Sequence, residues 1–386
     1  MRDVYIVGSA ATAVAEHWDC SGPSLAAEAF AAALGPLARE QVGAMYVASA
    51  LAGPLQTQAQ LGAAVAAACG LPGVEAHAVE ASGASGGVAL RQAFLAVASG
   101  AHDLVAVVGV EKPSDVLDGR REAALALAGD PDWDAIHGAT LTAQWALLMR
   151  RYMHVYGCRP EDFAPFPVNA HANGANNPGA LYRFAITPEK VRSAPPVADP
   201  LSLLDCSTAA DGAAVVLLAG EGLARELGGP RIRIAGSAVA TDTPALHSRP
   251  DPLWLEAAAR SSAAALRAAK LSAADVQVLE VTDPHGIAAA LSLESSGFFE
   301  RGSAVRAAAD GAISPHGATP LATAGGCKAR GDTVGATGVY QLVELVRQLR
   351  GEAGAAQVPG ARVAFAQCLG GIGATAATHV LVADNA

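Results

Sequence analysis

The sequence predicts an α/β fold, and three observations carry that prediction. Short β-branched runs alternate with alanine-rich helical runs along most of the chain. The chain is 52% hydrophobic, 16% charged and only 5% aromatic, a mix that suits helices packed closely on sheets. At 386 residues it is long enough for two core-bearing halves.

In the first half, the runs VYIVG, AMYVA, AHAVE, LVAVVG and AAVVLLA predict strands at Val4–Gly8, Ala44–Ala48, Ala76–Glu80, Leu104–Gly109 and Ala213–Ala219. Between them, alanine-rich runs predict helices at Ser24–Leu34, Gln58–Cys69 and Val88–Ser99. The second half repeats the style. Strands are predicted at Arg231–Gly236, Val276–Thr282, Arg362–Gln367 and Thr378–Ala383, and helices at Leu253–Ala269, Gly286–Ser295 and Gly335–Arg350. Asp283, just before the second of these helices, reads as its N-cap or as a turn residue.

Lys112 to Cys206 differs in texture. It holds polar loops, a helix over Leu141–Tyr156 and the run NAHANGANNP at Asn169–Pro178, which reads as an inserted loop. The Gly228–Pro230 break divides the chain into residues 1–228, including a loop domain over about 112–206, and residues 229–386.

Composition narrows the classes of function. A net charge of −10 argues against a nucleic-acid partner, because phosphate binding needs a basic surface. Six scattered cysteines include no C-x-x-C pair, which argues against a metal site or a disulfide scaffold and for a reducing, cytoplasmic setting. MRDVYIVGSAATA reads as a first strand, not a signal peptide, and no run is apolar for long enough to predict a membrane span.

The run VEASGASGG at Val79–Gly87 carries the most chemical information. A strand enters a turn of small residues and leaves as a helix, the layout of a nucleophile elbow. The helix directs its N-terminal N–H groups at the turn. This run resembles the thiolase elbow, where the catalytic cysteine precedes A-S-G-G. Four further stretches extend the resemblance: RRYMHVYG with HANGANNP, ADPLSLLDCSTAADGAAVVLL, GGCKARGDTVGATGV and QCLGGIGAT. Together they run in order along nearly the whole chain and resemble archaeal-type and sterol-carrier-protein-type thiolases.

The resemblance implies a five-layer αβαβα fold of two similar halves with an inserted loop domain, a homodimer, and a CoA thioester as substrate with no separate cofactor. It places the nucleophile at Gly83, the signature histidine at Asp332, the oxyanion residue of the fourth loop at Thr282 and the second cysteine at Gln367, beside Cys368. It assigns contacts with the CoA thioester to Gly325, Gly326, Gly370 and Gly371. All four chemical positions depart from the pattern, so the acyl-cysteine route is closed at its usual site. Ser82 or Ser85 is a substitute nucleophile or turn packing. Asp332 is a base or a solvated loop carboxylate. His285, three residues after Thr282, is a replacement base or a packing residue, and Cys368 is an acid/base group or a small core residue.

Three readings follow. In the first, the chain binds acyl-CoA and performs an aldol or retro-aldol step, as thiolase-like aldolases of steroid side-chain breakdown do, with Asp332 and His285 in place of their tyrosines. In the second, it is a non-catalytic CoA-binding or structural subunit, paired with a small zinc-ribbon/OB-fold protein or a second thiolase-like chain. The third is conventional 3-ketoacyl-CoA thiolysis.

Overall fold

Nine strands form one mixed sheet in the computed structural model, which describes residues 2–116 and 118–384. They are β1 Val4–Ala11, β2 Ala44–Ala48, β3 Glu75–Val79, β4 Leu104–Glu111, β5 Gly212–Gly220, β6 Arg231–Thr241, β7 Val278–Val281, β8 Val363–Gly370 and β9 Thr375–Asp384. Every predicted strand is present. The order across the sheet is β3-β2-β4-β5-β1-β6-β9-β8-β7, so each half of the chain keeps its strands together. β2 runs parallel to both β3 and β4, and β7 runs parallel to β8; the other pairings are antiparallel. The halves meet in a short seam, with Tyr5 opposite Arg233 and Ile6 opposite Ile232. β6 continues well past its predicted end because β9 pairs with it as far as Thr241.

The principal helices are α1 Gly22–Leu34, α2 Leu61–Ala68, α3 Ser85–Ser99, α4 Leu141–Tyr156, α5 Pro165–Gly174, α6 Glu256–Ala269, α7 Gly286–Ser295 and α8 Thr337–Arg350. Strand alternation sorts them into layers. Ala213, Val215, Leu217 and Ala219 of β5 pack outward with α1 and α2. Ala214, Val216 and Leu218 of the same strand face inward, onto α3 and α8. The second half-sheet covers the other side of α3 and α8, through Ile232, Ile234, Ala364 and Ala366. Its opposite face carries α6 and α7. Helix, sheet, helix, sheet, helix is the predicted five-layer order.

Glycine makes the middle layer possible. A Cβ at Gly86 would lie 2.8 Å from the Val339 nitrogen, and one at Gly338 2.7 Å from the Gly87 nitrogen. Only hydrogen at these positions lets α3 and α8 cross so closely at their first turns. Both N-termini therefore open onto the same region, each after a one-turn 3₁₀ segment at 82–84 or 334–336.

The asparagine-rich run departs from its prediction. Asn169–Gly174 is the second part of α5, not loop. The helix is held in place by tertiary hydrogen bonds: Asn169 and Asn173 donate from Nδ2 to the Leu321 carbonyl, and Asn173 also to that of Ala322. Just beyond the helix, Asn177 donates to the Ala324 carbonyl. These amides tie the inserted segment to the chain that leads into Gly325.

Candidate active site

The elbow, the 282–285 loop, the Asp332 loop and the end of β8 converge on one cavity of about 230 Å³. Ser82, Gly83, Thr282, His285, Asp332 and Gly371 are on its wall. Leu125, Leu141, Trp145 and Val334 supply an apolar side, and Ser207 and Thr208 a polar rim. The sequence therefore located six of its candidate residues around one space.

Gly83 has no room for a side chain. A Cβ there would lie 2.5 Å from the Leu369 carbonyl oxygen, and Leu369 is fixed in β8 opposite Ala376. The backbone strain of the turn falls one residue earlier, at Ser82, whose φ is +52°. Ser85 is buried within the turn: its hydroxyl donates to the Ser82 carbonyl at 2.6 Å and accepts from the Ala81 N–H at 2.9 Å. It staples the elbow and does not reach the cavity.

Asp332 is held by three donors. Its Oδ1 accepts from the Val334 N–H at 2.9 Å and the Thr337 hydroxyl at 3.2 Å; its Oδ2 accepts from the Ser207 hydroxyl at 3.1 Å. The carboxylate is half-buried and oriented, which a merely solvated loop group is not. Thr282 is buried and already committed: its Oγ1 accepts from the Leu369 N–H at 3.1 Å. His285 is buried on the wall, with its ring beside the Asp205 backbone and Nδ1 unpartnered among the described residues. Burial, aided by the positive charge of Lys328, lowers its pKa to about 4, so the imidazole is neutral at neutral pH.

Other candidates fall outside the cavity. Cys368 points into a small core with Ala84 and Ala377, and its Sγ would meet any Cβ at Gly87 at 2.3 Å. Burial pushes its thiol up to about 12, and it packs there as a small core side chain. Gly325, Gly326 and Gly370 are buried and do not line the cavity; of the four signature glycines, only Gly371 does. Gly326 is glycine because a Cβ there would strike the Asp283 carboxylate at 2.2 Å. At Gly370, likewise, a Cβ would strike the Ala81 carbonyl oxygen at 2.4 Å. Asp283 does not cap α7. The N-cap residue is His285, and the Asp283 Oδ1 accepts instead from the Cys327 N–H at 2.7 Å. Gln367 is wholly buried, donating to the Ser262 hydroxyl at 2.7 Å and the Ser296 hydroxyl at 3.0 Å.

Two charged groups escaped the sequence reading. Glu111 ends β4 and accepts from the Ser49 hydroxyl and the N–H groups of Ala50, Leu51 and Gly335. Burial pushes it up to about 7, against the pull of those four donors. It clamps the turn that follows Asp332. Lys328, inside the signature, is buried behind the cavity, and its pKa is lowered to about 8 by burial. Glu-Lys after a strand and a lysine among glycines were visible signals, but neither shows its depth in sequence.

This geometry coincides with a matched family. Residues 4–222 match the thiolase N-terminal domain, and residues 238–383 match the thiolase C-terminal domain-like family. The chain belongs to the thiolase family. It is 41% identical over 382 residues to an acetyl-CoA acetyltransferase of Methanothermobacter thermautotrophicus, covering 98% of this chain and 99% of that one. It is 31% identical over 296 residues to the benzoylsuccinyl-CoA thiolase subunit BbsB of Thauera aromatica, covering 76% of each. Among solved structures, the Ltp2-ChsH2(DUF35) aldolase superposes with a TM-score of 0.86 at 25% identity, over 100% of this chain and 98% of that one. Among the described residues, no helix is long and apolar enough to cross a membrane.

Proposed function

We propose that this thiolase-family chain binds an acyl-CoA in the 230 Å³ cavity and makes or breaks a carbon–carbon bond by aldol-type chemistry, without an acyl-cysteine. One observation carries the reading. At the nucleophile position the space for a side chain is filled by the Leu369 carbonyl, so Gly83 presents backbone alone.

What remains suits an enolate. The backbone amides of Gly83 and Gly371, both on the wall, are the donors we assign to the thioester oxygen. Asp332 is the oriented carboxylate that takes the proton of a β-hydroxyl. As that O–H bond breaks, the β-oxygen becomes a carbonyl, the Cα–Cβ bond cleaves, and its electron pair moves to the thioester oxygen. The enolate then recovers a proton at Cα, so one proton is moved and no co-reactant is consumed. Neutral His285 supplies a polar wall, and Leu125, Leu141 and Trp145 make room for an apolar acyl group.

The aldolase neighbour supports this reading, and its two-component name extends it: we infer a small zinc-ribbon/OB-fold partner for this chain, on a homodimer of it. The test incubates the purified chain, with and without a co-expressed partner, with a β-hydroxyacyl-CoA and with a 3-ketoacyl-CoA. Release of an aldehyde or ketone from the first and no thiolysis of the second is expected. Thiolysis would overturn the reading, and CoA binding without turnover in any complex would leave the chain a structural subunit.

A further inference from the structure

Behind the cavity wall is a second, much smaller space. It measures about 10 Å³, near the lower limit for a single ordered water. Asp205, Asp283, His285 and Lys328 line it together with Phe166 and Pro167. His285 belongs to both spaces. Asp205, His285 and Lys328 are 6%, 5% and 5% exposed, so none of their polar atoms reaches bulk water with ease.

The polar atoms here are incompletely matched. Asp205 spends Oδ2 on the Ser202 N–H and hydroxyl, at 2.9 and 2.7 Å, while its Oδ1 has no partner among the described residues. His285 Nδ1 is in the same position. The ring lies beside the Asp205 backbone carbonyl; we assign that contact to Nε2–H, since Nδ1 has no partner among the described residues, and Nδ1 is then the acceptor nitrogen. Two buried acceptors and one ammonium thus surround a space of one-water size. A water satisfies all three, because it accepts from Lys328 and donates twice.

We propose that one ordered water bridges Lys328 Nζ, Asp205 Oδ1 and His285 Nδ1, and that through it Lys328 acts as a positioning residue, locking His285 at the active-site wall as the neutral, Nε2-protonated tautomer. This rests on the reading of the main cavity as a reaction site and assigns the base role there to Asp332 alone. The charges around the lysine fit the role. Asp205, Cys206 and Asp283 face it, Tyr182 presents its ring 5.9 Å from Nζ, and His171 and His285 both feel its positive charge. With the Asp205 and Asp283 carboxyl groups beside it, the ammonium persists up to about pH 8 despite burial.

The test reads the histidine ring directly, without turnover. Ring-¹⁵N NMR of the histidine-labelled chain, assigned with His285→Gln, is expected to show His285 as the Nε2–H tautomer, neutral at pH 6. Lys328→Met removes the neighbouring positive charge, and the titration midpoint of His285 is expected to rise by about one unit. A Nδ1–H tautomer in the wild type would overturn the proposal, as would an unmoved midpoint in a folded Lys328→Met. If Lys328→Met does not fold, the wild-type tautomer and a crystal structure decide: density bonded to all three groups supports the bridge, and a dry pocket overturns it. These readouts are independent of activity. A correct ring signature without aldol turnover would sink only the proposed reaction; turnover with a wrong signature would sink only the bridge.

Discussion

Placing a thiol on the elbow, by Gly83→Cys, probes the site most sharply. A Cβ at this position begins 2.5 Å from the Leu369 carbonyl and must retreat by about 0.9 Å to reach ordinary contact at 3.4 Å. The obstacle is backbone in a strand paired with β9 and bonded to Thr282, so it yields less easily than a side chain. Overpacking of this kind costs about 1–3 kcal/mol. The new thiol would also face the Asp332 carboxylate, where thiolases have a histidine, and a negative neighbour disfavours the thiolate. Urea denaturation should therefore show a loss of about 1–3 kcal/mol relative to wild type, with an unchanged m-value. Iodoacetamide should label the variant slowly, and 3-ketoacyl-CoA should not be thiolysed. A Gly83→Cys protein of wild-type stability that thiolyses 3-ketoacyl-CoA would refute the argument that the site has closed around the glycine.

Further outcomes follow from the same structure. Asp332→Asn keeps the size of the side chain but removes the base, and should lower retro-aldol turnover by about 10²–10⁴-fold with little change in unfolding midpoint, measured by steady-state assay and thermal melt. His285 and His379 are buried with pKa values lowered to about 4 and about 3, so the folded state resists their protonation while the unfolded chain takes up protons near pH 6.5. Each contributes stability that is complete above about pH 6.5 and is lost on acidification toward its folded pKa, at about 1.4 kcal/mol per pH unit. A pH series of denaturation curves should show His379→Gln with a shallower acid limb than wild type; an identical limb would count against a buried neutral imidazole. Cys368→Ala should leave turnover unchanged, and in combination with Gly87→Ala it should recover part of the stability that Gly87→Ala alone loses, because the first clash of that new methyl is with Sγ. A fall in turnover for Cys368→Ala alone would return the thiol to the mechanism.

Much of the fold was legible because both periodicities were clean. VYIVG, AMYVA and LVAVVG are strands buried on two faces, and α4 and α7 have the boundaries their sequences predict. The asparagine run was misjudged because its loop-favouring side chains bond to distant carbonyls at 321–324, which no local pattern reveals. Around the site, Gly83, Asp332 and His285 were found because they stand in recognisable motifs. Cys368 stayed open between an acid/base group and a small core residue, since strand alternation places it on the α3 side of β8 and only the fold shows that side to be dry. Glu111 and Lys328 were missed because burial turns ordinary surface residue types into interior charges, and burial is a property of the finished packing.

The placement of α8 between the two half-sheets has a consequence for biosynthesis. This helix, residues 337–350, covers the inner face of strands made more than a hundred residues earlier. While the ribosome completes the second half, the inner face of β4 and β5 is therefore only partly covered, by α3, and the valines and leucines that α8 will meet stay exposed. Chains interrupted before residue 337 should aggregate or engage chaperones, and the first half should acquire full protease resistance only after the last helix is released.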